Sequence, residues 1–300
     1  MLRRKFLAAG AAAVARATAA SSTIADRICL FTDHLDDYFT PTEIAKMLRS
    51  LGVAGPDLTV RPGGVVAPER AVEDLPKAAA IFREHGLRIP MISTGIKSGD
   101  AMARALVKTA AGLGIRYFKA GYFDYSDLSR WRESLDDARR GLNGVARLAR
   151  EFGMTAGFHN HSGSLGGPLW DAWEIVDGIE AKAMGLYFDP AQAMIEGGKL
   201  GWKLGLQRSA PRIVMIAIKD FVWEKTPNGW RTRWVPLGEG MVDFRAFFGL
   251  LRQIDFPGPV SLHIEYDPGG ASKSERYDKS LEAAARDLKF LKARIQEAYS

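Results

Sequence analysis

Cysteine is nearly absent: Cys29 is the only one in 300 residues. An intrachain disulfide is therefore excluded. A lone cysteine inside the apolar run Arg27–Phe31 reads as a small buried side chain. Histidine is scarce too, with five residues. No apolar run reaches the ~20 residues of a membrane-spanning helix. No Gly-rich turn follows the first apolar strand, which argues against a dinucleotide-binding doubly wound sheet.

A true excess of basic charge is also missing. The formal charge is +6, but Arg3, Arg4, Lys5 and Arg16 lie in an N-terminal stretch without acids. Setting those four aside takes 41 basic residues to 37 against 35 acidic, or +2. That gives nucleic-acid binding little support. The stretch itself is Arg3-Arg4-Lys5-Phe6-Leu7, the small apolar run Ala8–Ala15, and Ala17-Thr18-Ala19. It reads as a twin-arginine export signal over residues 1–20, with a small-residue cleavage site. The expectation is a periplasmic protein with one domain over residues 21–300 and no membrane attachment once the signal is removed.

What is present is chemistry at the ends of apolar strands. Two of the five histidines stand two residues apart in Gly157-Phe158-His159-Asn160-His161, so a strand would point both to one face. His263-Ile264-Glu265 repeats the spacing with a carboxylate. Between them, Tyr187-Phe188-Asp189-Pro190 and Ala217-Ile218-Lys219-Asp220 are apolar runs ending in charge. Core packing alone would not require four such endings.

β-rich runs alternate with helical stretches along the chain. The expected strands are 27–31, 57–60, 89–93, 115–120, 155–161, 184–189, 213–219 and 260–266. The expected helices include 41–51, opened by a capping box from Thr40 to Glu43, and 279–298 with one apolar face. Eight strand–helix units in about 275 residues match a (β/α)8 TIM barrel, whose catalytic groups sit at the C-terminal ends of the strands. His161, Asp189, Lys219 and Glu265 all fall there.

With these motifs, and with Pro236-Leu237-Gly238-Glu239-Gly240, the chain resembles the sugar phosphate isomerase/epimerase family, the xylose-isomerase-like barrels. The resemblance implies a divalent metal held by Glu, Asp, His and Glu on strands five to eight. Carried over, those positions are His159, Asp189, Ala217 and Glu265. Asp189 and Glu265 match; His159 replaces a Glu, and Ala217 replaces a His. Gln192 also stands where His is frequent. His161 or His263 is expected to supply the missing ligand. Such a mixed set suits Mn, Zn, Co or Fe better than Mg.

The expected reaction is removal of a proton next to the carbonyl of a sugar or keto-sugar, with Glu265, His159 and Lys219 as catalytic groups. Isomerisation or epimerisation would follow; a lyase or hydratase outcome and a sugar-binding barrel without catalysis are the rivals. Lys219 could equally be a structural ion pair. Expected substrate contacts are Arg61, His34 at the end of strand one, Glu239, and the tryptophans Trp223 and Trp230. Those two tryptophans flank an Asn228-Gly229 hairpin turn, which could instead form a contact between copies of the chain. The DNA-repair endonuclease branch of the same superfamily is a third rival, disfavoured by the export signal and the near-neutral charge.

Overall fold

Strands buried on both faces read as unbroken apolar runs, and these strands have that character: every residue of 56–60 and 91–94 is buried. In the computed structural model, which describes residues 23–125, 127–254 and 256–300, they close into a barrel. The expected export signal and its cleavage site lie outside the described residues. Among those residues, no helix is long and apolar enough to cross a membrane.

The chain runs β1 (Ile28–Phe31), α1 (Asp33–Asp36), α2 (Pro41–Leu51), β2 (Pro56–Val60), α3 (Ala71–Glu84), β3 (Met91–Thr94), α4 (Ala101–Gly112) and β4 (Tyr117–Lys119). It continues through α5 (Trp131–Glu151), β5 (Thr155–His159), α6 (Leu169–Val176), β6 (Met184–Phe188), α7 (Pro190–Ser209) and β7 (Ile213–Ile218). It closes with β8 (Asp220–Thr226), β9 (Gly229–Val235), α8 (Phe244–Leu251), β10 (Val260–Leu262) and α9 (Lys273–Tyr299). All eight barrel strands are parallel, β10 pairs with both β1 and β7, and β8–β9 form a separate antiparallel hairpin. The single (β/α)8 barrel expected from the sequence is the fold.

Local chemistry sets the boundaries. Thr40 and Glu43 cap each other's backbone N–H at the start of α2, with Thr40 N to Glu43 Oε2 at 2.7 Å. Asp189 caps α7, accepting the Gln192 N–H at 3.0 Å, and Pro190 follows where a missing N–H costs nothing. The sequence splits α7 into 190–195 and 202–209; the structure joins them across a break at Gly198, whose φ is 59°. The Asn228-Gly229 turn makes the expected hairpin, with Gly229 at φ 108°.

Two apolar layers hold the barrel. The larger lies between strands and helices. The smaller fills the barrel interior with Cys29, Met91, Tyr187, Met215 and Ala217. Strands β5 and β10 stop earlier than their apolar runs suggest, at His159 and Leu262. His161, His263 and Glu265 therefore sit in the loops just beyond, at the mouth rather than within the strands.

Candidate active site at the barrel mouth

A cavity of about 560 Å³ opens at the C-terminal mouth. Its wall includes Lys119, Tyr122, His159, His161, His263 and Glu265. Behind that wall lie Asp189 and Lys219, 0% and 2% exposed.

Lys219 is the hub. Its Nζ lies 2.8 Å from Glu265 Oε1 and 3.4 Å from Asp189 Oδ2. The indole of Trp234 covers it, with Nζ 4.5 Å from the ring centroid. Burial works to discharge all three groups, but their mutual attraction wins. The lysine is held above its ordinary pKa, and both carboxyls are held below theirs.

The histidines are equally committed. His159 Nε2 is 3.3 Å from Asp189 Oδ2, and its Nδ1 is 2.8 Å from the Tyr122 hydroxyl. Burial lowers its pKa to about 3, so the ring is neutral at pH 7. The tautomer that satisfies both contacts donates Nε2–H to Asp189 and accepts from Tyr122 at Nδ1. His263 Nδ1 is 3.2 Å from Glu265 Oε1, and its Nε2 is 2.9 Å from the Tyr187 hydroxyl. Tyr187 lies 3.0 Å from Asp57 Oδ2, which also accepts from Ser261 at 2.8 Å. Burial raises the Asp57 carboxyl above its usual range. A hydrogen-bonded chain therefore runs from the barrel interior at Asp57 up to Glu265 at the mouth. His161 turns its Nδ1 to its neighbour's carbonyl, Ser162 O, at 2.9 Å.

These residues fit a divalent metal poorly. Among the described residues, no group of three or more His, Cys, Asp or Glu side chains is arranged to hold one. Asp189 uses Oδ1 on the first turn of α7 and Oδ2 on His159 and Lys219. Ala217 offers no donor atom and is buried in the interior layer. The place between the carboxylates is taken by an ammonium. The ligand set expected of His159, Asp189, Glu265, His161 and His263 is thus gathered in one region but tied into ion pairs and hydrogen bonds.

The expected substrate contacts divide. Arg61 lines the cavity, ion-paired to Asp33. His34 also lines it, although it lies on α1 rather than at a strand end. Trp223 and Trp230 do not line it; they are 40% and 66% exposed on the β8–β9 hairpin. Glu239 is exposed and off the cavity wall. Its flanking glycines serve a turn: Asp220 accepts the Gly238, Gly240 and Val242 N–H groups, each at 3.0 Å, and a Cβ on Gly240 would lie 2.1 Å from Asp220 Oδ1. The pocket indole is Trp234. We expect Trp234→Ala to weaken ligand binding several-fold in a titration, while Trp230→Ala leaves binding and stability unchanged.

Both ring nitrogens of His34 are buried without a protein partner among the described residues. Burial, with the charge of His263 adding, lowers its pKa to about 3. A base with a depressed folded pKa gives stability that is present above its unfolded pKa and lost as pH falls towards the folded value. Between pH 7 and pH 5 the wild type should therefore lose about 2 kcal/mol relative to His34→Leu. Urea unfolding of both proteins at the two pH values checks this.

Sequence reasoning missed Lys119, Tyr122, Tyr187 and Asp57. Lys119 could have been found, since it stands one residue from the end of the run 115–120, much as Lys219 ends 213–219. It is 8% exposed, with Nζ 3.6 Å over the Tyr122 ring and 3.5 Å from Thr94 O. No ion pair holds it among the described residues. Burial and the nearby Arg61 charge bring its pKa down to about 7.

A closed parallel barrel with buried ionisable groups converging on its C-terminal mouth defines an enzyme-type TIM barrel. The chain belongs to the xylose isomerase-like TIM barrel family, whose profile matches residues 45–294. It is 24% identical to the inosose dehydratase of Bacillus velezensis over 215 residues, 68% of each chain. It superposes on a xylose isomerase-like TIM barrel protein from Mycobacterium smegmatis in complex with magnesium, with a TM-score of 0.69 and 16% identity over 93% of this chain and 100% of that one. D-allulose 3-epimerase from Methylomonas sp. in complex with D-allulose gives a TM-score of 0.67 at 16% identity, over 89% and 96%. At such identities these two structures establish the fold alone.

Proposed function

We propose that this barrel removes the proton next to the carbonyl of a polyhydroxylated ketone, a keto-sugar or a keto-cyclitol. The observation that carries the reading is Lys119: a buried amine without an acidic partner among the described residues, on the wall of the mouth cavity, its pKa brought down to about 7 by burial. A base with a pKa near the working pH is well matched to this step. Glu265 and His159 are less suited. Lys219 and His263 hold the Glu265 carboxyl low, and His159 is satisfied at both nitrogens.

Lys119 Nζ takes the α-proton, and the C–H electron pair moves towards the carbonyl oxygen. Arg61, whose charge already depresses Lys119, supplies N–H donors to the developing enolate. Tyr122 and His161 accept or donate to ring hydroxyls, and Trp234 covers an apolar C–H face. Return of the proton to the opposite face epimerises; return to the adjacent carbon, with the matching hydroxyl proton shift, isomerises. Departure of a β-hydroxyl as water gives an unsaturated ketone. The likeness to inosose dehydratases supports this dehydration as the second outcome.

Incubation with a panel of ketohexoses and inososes, followed by NMR product analysis, tests the reading. An epimer, an aldose or a dehydrated ketone supports it. Binding without any product across the panel would leave a sugar-binding barrel. Export is a separate proposal: Arg3→Lys with Arg4→Lys should hold the precursor in the cytoplasm, read by cell fractionation.

A further inference from the structure

We infer that the Lys219 ammonium stands where a divalent metal would otherwise be held, so that this barrel's mouth is organised by a cation of its own chain. Two carboxylates brought close in a buried site need a positive charge between them. Glu265 Oε1 and Asp189 Oδ2 share one, at 2.8 and 3.4 Å from the same Nζ. The nitrogen enters from the end of β7, two residues past Ala217, and both side chains belong to one strand and its exit. A metal ligand at 217 is therefore absent on the strand that supplies the replacement cation. A buried ammonium and a metal ion cannot occupy the same space, and each would repel the other.

The remaining bonds are consistent with an ammonium and not with an ion waiting to be loaded. His159 satisfies the tautomer in which Nε2–H faces Asp189, which leaves no lone pair on that side. The indole face of Trp234 closes the hub, a surface that attracts an ammonium. Lys219 lies behind Glu265 and His159 and does not line the cavity. It is a positioning residue: it fixes Glu265, and through Asp189 it fixes His159. The inference rests on this geometry and holds whichever reaction the mouth performs.

Metal content of the full chain tests it. The protein is dialysed against EDTA, exposed to Mn²⁺ or Zn²⁺, desalted and analysed, in parallel with calorimetric titration by each metal. Wild type is expected to retain no stoichiometric metal and to show no shift in unfolding temperature with either metal. Lys219→Met keeps the length of the side chain and removes the charge. It is expected to take up one metal ion per chain, with a rise in unfolding temperature that Glu265→Gln in the same background abolishes. Where Lys219→Met does not fold alone, its refolding yield with and without metal gives the same answer. One metal per wild-type chain, lost in Glu265→Gln, would overturn the inference. So would a Lys219→Met protein that neither binds metal nor is rescued by it, because Lys219 would then be an ordinary buried ion pair.

Discussion

Lys219→Met should lower folding stability at pH 7 by about 3–5 kcal/mol in the absence of added metal. The loss comes from what is left behind more than from what is removed. Asp189 is fully buried and Glu265 is partly buried; without Lys219 their charges face each other with only histidines and backbone N–H groups for support. The sign with pH follows. The two carboxyls have depressed folded pKa values, so the stability they gain from Lys219 is present above their unfolded pKa and is lost as pH falls through the folded values. The gap between wild type and variant should be widest at high pH and should narrow as pH falls, starting where the variant's carboxyls, raised by burial and mutual repulsion, take up protons and ending at the depressed wild-type values. Denaturant unfolding at several pH values measures it. A gap that does not change with pH would mean that packing, not charge, explains the loss.

Lys119→Met should reduce turnover by about 10²–10⁴-fold, the range for loss of a positioned proton-transfer group. Binding of a non-reacting polyol should change little, because in the proposed reaction the amine acts on the α-proton. Lys119→Arg should not restore the rate, since a guanidinium does not give up its proton at neutral pH. The wild-type rate should rise with pH through a midpoint near 7, as the amine loses its proton. A Lys119→Met enzyme with an unaltered rate and profile would move the base elsewhere on the cavity wall.

The barrel was legible because its signal is local. Alternation of short apolar runs with amphipathic stretches fixes the strand and helix order, and Thr40, Glu43, Pro190 and Gly229 mark their ends in the chemistry of single turns. The convergence of His159, Asp189, Lys219 and Glu265 on one mouth was legible too, once the strands were read as a parallel barrel. Distances across the barrel were not. The step that brings Lys219 Nζ between two carboxylates depends on strand register and tilt, which no local pattern records. Trp223 and Trp234 illustrate the same limit. They lie on opposite strands of one hairpin, and only its docking on the mouth sets Trp234 over Lys219 and leaves Trp223 outward. Glu239 was misplaced because the Gly-Glu-Gly turn wraps the Asp220 carboxylate rather than a ligand.

The most direct test is a crystal of the full chain grown with a non-reacting polyol and Mn²⁺, with anomalous data collected at the manganese edge. The expected result is polyol oxygens within hydrogen-bonding reach of Arg61, a polyol C–H facing Lys119 Nζ, and Lys219 Nζ between Glu265 and Asp189 with no anomalous peak there. A manganese peak at about 2.0–2.6 Å from Asp189 and Glu265, with Lys219 swung away, would contradict the account.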